Sequence, residues 1–183
     1  MNGKDVKSIL ITALSLFLIC AVAAGALAYV NSVTAPTIAA NAAAAADKAR
    51  GEVLPEADGF EEQTAPDGTV YYLGKSGPDA AGYVFTTSAK GYGGDVEIMT
   101  GVDAEGKVTG ISILSIEETP GLGMNAKKDA FKDQYKGKSG QLAVNKDGGE
   151  IVAITSATVT SRAVTKAVNE ALALYESVAG KGE

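Results

Sequence analysis

The chain has no histidine, no tryptophan and one cysteine among its 183 residues. Without histidine there is no imidazole general base, no Ser-His-Asp triad and no histidine-ligated zinc or copper site. The lone thiol, Cys20, cannot close a disulfide within the chain or hold an iron–sulfur cluster. Basic charge is also scarce, with 16 Lys and Arg against 22 Asp and Glu, a formal net charge of −6. That balance, with no basic patch, argues against nucleic acid as a partner. No catalytic constellation and no metal-ligand pattern is expected. Any redox chemistry performed by this chain has to come from an organic cofactor.

Charge of either sign is missing between Lys7 and Asp47. Inside that gap, residues 8–30 form an apolar run with Leu10, Leu14, Leu16, Phe17, Leu18, Ile19, Val22 and Leu27. About 20 such residues cross a bilayer as a helix, whereas the apolar part of a cleaved signal peptide runs to about 7–15. Ala26-Leu27-Ala28 has the small-x-small form of a cleavage site. The length nevertheless favours a retained single-pass anchor. Lys4 and Lys7 precede the run and the next basic residue is Lys48. The positive-inside rule then predicts a cytoplasmic N-terminus at residues 1–7 and a domain on the far side of the cytoplasmic membrane.

Ala35-Pro36-Thr37 reads as a break, and the alanine run Ala42 to Ala46 as a helical stalk. Residues 31–58 are expected to be this stalk and linker, with a folded domain over 59–183. The middle of the chain is strand-rich, at residues 70–73, 83–85, 96–99 and 108–113, separated by turn residues. Asp103 to Gly106 reads as a hairpin connection. Residues 126–136 read as a short helix with Phe131 and Tyr135 as packing residues. Ile151 to Ile154 suits a buried late strand, and Val164, Val168, Ala171 and Tyr175 recur at helical spacing after it. The expected fold class is α+β, with an antiparallel sheet and a C-terminal helix.

Three segments stand out as candidates for binding. The first is Thr155-Ser156-Ala157-Thr158-Val159-Thr160-Ser161, which runs from the apolar segment into the helix. A helix beginning there presents unpaired N–H groups and the positive end of its dipole, which suit an anion. Thr160 or Ser161 acting as an ordinary N-cap is the simpler reading of the same residues. The second is Glu118-Thr119-Pro120-Gly121-Leu122-Gly123, where proline fixes one φ and the glycines permit a tight turn and close backbone approach. The third is Gly91-Tyr92-Gly93-Gly94, followed by an alternating strand.

Together these segments resemble the FMN-binding domain shared by the RnfG and NqrC subunits of membrane redox complexes. The resemblance spans roughly residues 80–178, and residues 49–55 also resemble the region after the anchor in RnfG proteins. Carried over, it implies FMN held covalently by a phosphoester to Thr158, with Ser156, Ala157, Thr160 and Ser161 around the phosphate. It places Glu118 to Gly123 (with Thr119, Pro120, Gly121 and Leu122) and Gly91 to Gly94 (with Tyr92 and Gly93) beside the ring or ribityl chain. Two positions depart from the family motif: Val152 stands where Asp is usual and Ser156 where Gly is usual. Upstream, Ile116 stands where the family often has His. The implied role is an electron-carrying subunit of an Rnf-type ferredoxin:NAD oxidoreductase complex that moves Na⁺ or H⁺, rather than a complete enzyme alone. The implied partners are the other membrane subunits and a flavin transferase for maturation. Three alternatives stay open at this point. They are a stand-alone extracytoplasmic FMN shuttle, the NqrC-type subunit of a Na⁺-translocating quinone reductase, and an anchored binding module without a cofactor.

Overall fold

A computed structural model describes residues 3–65 and 68–179. Residues 1–2 of the expected cytoplasmic segment and 180–183 of the expected domain lie outside the described residues, as does the side chain of Lys4. The chain divides into two compact units, Met1–Ala44 and Ala45–Glu183.

Helix α1, Gly3–Val53, is continuous, and the break expected at Pro36 does not occur. Proline removes one hydrogen bond and crowds the carbonyl four residues back. Alanine, the strongest helix former, dominates the sequence on its C-terminal side. In the first unit every described side chain is exposed, Phe17 at 69%. An apolar helix with no protein around it requires lipid cover. Among the described residues α1 is the one helix long and apolar enough to cross a membrane.

The second unit is built on an antiparallel meander: β1 (Gly59–Thr64), β2 (Val70–Ser76), β3 (Asp79–Lys90), β4 (Asp95–Asp103) and β5 (Val108–Ile116), in spatial order 1 to 5. β2 to β5 stand where alternating apolar residues predict them. β1 is an addition. It is an edge strand with five of its six residues exposed, so its sequence carries no two-residue periodicity.

Each face of the sheet is covered. Helix α3, Thr158–Ala179, lies on one face, where Ala163, Val164, Ala167, Val168 and Ala171 pack with Phe85, Val96, Ile98 and Val102. Thr87 Oγ1 donates to the Ala167 carbonyl across this contact at 2.9 Å. The other face takes the end of α1 and the residue after it, through Ala49, Val53 and Leu54 against Val84 and Met99. Gly101 permits that approach, because a Cβ there would overlap the Val53 carbonyl. Residues 45–54, expected in a linker, are therefore core-forming.

Between β5 and α3 the expected helix over 126–136 is three short pieces. They are a 3-10 turn at Gly123–Lys127, α2 at Asp129–Lys132 and a second 3-10 turn at Asp133–Tyr135. Lys128 is extended (φ −75°, ψ 141°), which interrupts the run. Phe131 and Tyr135 meet edge to face at 5.7 Å and are both buried, as packing residues should be. The expected late strand over 151–154 makes one parallel bridge, Ile151 to Val144, and no ladder.

Candidate functional site

Consecutive hairpin turns of a meander fall at opposite ends of the sheet. The 91–94 turn between β3 and β4 and the segment leaving β5 at Ile116 therefore share one end, where Val96 pairs with Ile116. The N-terminus of α3 reaches the same end. The three sequence segments, far apart along the chain, form one site.

The 91–94 turn closes on itself through Gly91 N–H to Gly94 O, 2.8 Å. Its Tyr92 N–H donates to Glu118 Oε1 at 2.6 Å, and Gly93 N–H reaches the same oxygen at 3.4 Å. The following loop turns tightly, as its Pro-Gly pair predicts: Gly121 has φ +78° and Leu122 N–H donates to Thr119 O at 3.1 Å. Gly123 sits where a Cβ would come within 2.7 Å of both Glu118 Oε2 and Thr160 Oγ1. Only a residue without a side chain fits between the loop and α3 there.

The segment leading into α3 is held by side chains in place of a ladder. Three successive N–H groups each have a side-chain acceptor: Val152 on Gln134 Oε1 (2.7 Å), Ala153 on Asn145 Oδ1 (3.1 Å) and Ile154 on Ser161 Oγ (2.9 Å). Gln134 also donates back to the Val152 carbonyl at 3.3 Å. Behind it, the Tyr135 hydroxyl donates to Thr165 Oγ1 (2.8 Å), which donates to the Ser161 carbonyl (2.9 Å). Burial pushes the Tyr135 phenol well above its ordinary value, so it stays a donor. Arg162 pairs with Asp147 through both carboxylate oxygens and holds that carboxyl below its usual range.

At the helix start, Ser161 N–H donates to Ala157 O at 3.0 Å. Ala157 is therefore the N-cap, a position usually filled by Ser, Thr, Asp or Asn because their side chains accept from the second or third amide. The simpler reading of Thr160 or Ser161 as the cap is not what forms. Ser161 is buried, and its hydroxyl spans Ile154 N–H and Ala157 O. The N–H groups of Thr158, Val159 and Thr160 have no acceptor among the described residues. A 22-residue helix thus ends in three open amides with its dipole behind them.

Those amides border a cavity of about 550 Å³. Tyr92, Leu122 and Val159 give it apolar wall, Glu118 and Gly123 lie on the loop side, and Thr158 is half-buried at the helix side. Thr119, Ser156, Ala157 and Thr160 complete the lining. Gly91, Gly93, Gly94, Pro120 and Ser161 do not line it, and Gly121 lines an adjoining groove beyond Leu122 and Ser156. Ser156 has φ +61°, the conformation that favours glycine, which explains why Gly is usual at this place in the motif. Val152 is exposed, so its side chain is free to vary.

Sequence reasoning missed Gln134, Asn145 and Val159. The first two act on residues 18 and 8 positions away through side-chain hydrogen bonds to the backbone. Neither contact leaves a periodic or motif signal. Val159 contributes an amide and a wall, which any residue type supplies in part.

An open helix start beside an apolar-walled cavity on a small α+β domain has the form of a site for a phosphate carried on an apolar group. Residues 91–173 match the FMN-binding domain family, and residues 1–53 match the RnfG N-terminal region. The chain is 40% identical, over 95% of each chain, to the G subunit of the Na⁺-translocating ferredoxin:NAD⁺ oxidoreductase complex of Acetobacterium woodii. It is 36% identical, over 93% of this chain and 94% of the other, to the G subunit of the proton-translocating ferredoxin:NAD⁺ oxidoreductase complex of Clostridium ljungdahlii. The chain belongs to the RnfG family, the G subunits of ion-translocating oxidoreductase complexes. Its fold resembles the NqrC-type subunit of the Na⁺-translocating NADH-quinone reductase of Parabacteroides distasonis (22% identity, 62% of this chain and 64% of that chain, TM-score 0.53). It also resembles Shewanella oneidensis NqrC (17% identity, 66% and 68%, TM-score 0.53).

Proposed function

We propose that this chain is the electron-carrying RnfG subunit of an Rnf-type ferredoxin:NAD complex, with FMN joined to Thr158 Oγ1 as a phosphoester. The observation that carries the reading is the uncapped start of α3. Three open amides and a free threonine hydroxyl lie there on one cavity edge. When bound, FMN supplies the electron transfer that no side chain of this chain can.

The chain's own groups hold and shield. Amides of Thr158, Val159 and Thr160 take the phosphate oxygens, aided by the helix dipole. Ser156 and Thr160 add hydroxyls beside them. Tyr92, Leu122 and Val159 exclude water from an aromatic ring system, while Gly123 leaves room for close backbone approach. Thr119, Pro120 and Gly121 shape the loop that carries Leu122. In ester formation Thr158 Oγ1 gives up its proton and bonds the flavin phosphorus, while the phosphoanhydride bond of an activated flavin donor breaks and the donor's other phosphate-bearing half leaves. No histidine, and no hydrogen-bonded carboxylate, stands by Thr158 as a base, so a separate flavin transferase supplies both the base and an activated flavin donor.

The positive-inside pattern around residues 8–30 supports a cytoplasmic N-terminus and an extracytoplasmic flavin domain. A covalent link suits that side of the membrane, where lost FMN is not readily replaced. The match over residues 1–53 favours an Rnf-type assembly over a quinone reductase.

The test is expression of the full chain with and without the flavin transferase of its source organism, followed by a denaturing gel viewed for flavin fluorescence. Fluorescence is expected on the wild-type band only with the transferase, and on no band for Thr158→Ala. A dark wild-type band with the native transferase present contradicts the reading.

A further inference from the structure

We propose that Glu118 is a positioning residue, a latch that fixes the 91–94 turn at the cavity rim through its backbone. The inference rests on the flavin reading for what the turn holds, but the latch belongs to the bare chain. Glu118 is buried, and Oε1 accepts from the N–H groups of Tyr92 (2.6 Å) and Gly93 (3.4 Å). No Lys or Arg pairs with it among the described ion pairs. A buried carboxylate without a cation is costly unless its hydrogen bonds compensate, and bonds to a carboxylate are about twice as strong as neutral ones.

The turn has few other ties. Apart from its internal bond, it is seated against the Glu117 backbone and the Glu118 side chain: a Cβ on Gly93 would overlap the Glu117 carbonyl, and one on Gly91 would overlap Glu118 Oε1. Tyr92 is 77% exposed yet lines the cavity. With so little packing on its ring, the backbone bond to Glu118 sets where that ring stands. Glu118 therefore places Tyr92 over the cavity.

Amide exchange of the flavin-free full chain in detergent micelles reads the latch directly, because it needs no cofactor. Glu118→Ala should speed exchange at Tyr92 and Gly93 by about tenfold or more, as loss of a charge-assisted bond implies. Glu118→Gln keeps an acceptor oxygen without the charge and should exchange at a rate between wild type and Glu118→Ala. Gly91→Ala displaces the same carboxylate from the other side and should behave like Glu118→Ala. Unchanged exchange at Glu105 and Lys107, in the turn at the other end of the sheet, verifies that each variant is folded. In the flavinylated fraction of each of the four chains, the flavin reports on the turn. Its visible circular dichroism should be kept in wild type and Glu118→Gln and reduced in the two latch-breaking variants. Wild-type exchange in Glu118→Ala, or exchange in Glu118→Gln as fast as in Glu118→Ala, overturns the latch. A wild-type chain that takes no flavin but shows the expected exchange pattern defeats the flavin reading and leaves the latch standing.

Discussion

The two ends of the sheet treat their backbone donors in opposite ways. At the 103–107 turn the N–H groups of Asp103, Glu105, Gly106 and Lys107 are all answered locally. Asp103 Oδ1 accepts from Glu105 N–H (3.0 Å) and Lys107 N–H (2.8 Å), and Gly106 N–H reaches Asp103 O (3.2 Å). The Tyr175 hydroxyl then donates to Ala104 O at 2.6 Å, so the C-terminal part of α3 seals that end. At the other end the same helix starts at an alanine cap with three amides open, beside a cavity. One helix thus closes a structural turn with its last turns and leaves the amides of its first turn open. Helix starts ordinarily gain about 1 kcal/mol from a capping side chain. Forgoing that gain keeps the first-turn amides open, which the proposed phosphate site requires.

The comparison can be broken from either side. The largest effect on stability is expected at the closed end. Asp103→Ala strips the acceptor of two amides and should lower unfolding stability by about 1–1.5 kcal/mol, read by urea denaturation, with flavin attachment unchanged. A smaller effect of opposite sign is expected at the open end. Ala157→Ser supplies the missing cap and should raise stability by up to about 1 kcal/mol. Its hydroxyl also competes for the phosphate amides, so the flavinylated fraction after a fixed reaction time should fall. The smallest change is Ser156→Gly. It relieves an L-residue held at φ +61°, a strain of about 1–2 kcal/mol, against the flexibility glycine adds to the unfolded chain, for a net gain of about 0.5 kcal/mol. Attachment should persist in that variant.

These variants also mark what was legible in the sequence. β2 to β5 alternate in polarity, and α3 repeats its apolar residues at helical spacing, so both followed from pattern. The 118–123 loop and the 155–161 segment followed from turn residues and from family resemblance. β1 was invisible because an exposed edge strand has no buried face to record. Residues 45–54 looked like a stalk because alanine favours a helix in any setting. That Ala49 and Val53 lie under the sheet depends on Gly101 and on strands well downstream in the chain. The segment over 151–154 read as a strand because its residues are β-branched. Its amides found Gln134, Asn145 and Ser161 in place of a neighbouring strand. The open helix start was half legible: unpaired first-turn amides followed from the helix, whereas the identity of the cap required the Ser161 to Ala157 bond.

The central claim is that the open end of α3 is a covalent flavin site at one atom, Thr158 Oγ1. Tandem mass spectrometry of the full chain, isolated from membranes that contain its own flavin transferase, tests this most directly. The account predicts a single added mass of one FMN less one water, confined to Thr158 and missing from Thr158→Ala. An unmodified chain, or the same mass on Thr155, Ser156, Thr160 or Ser161, would contradict it.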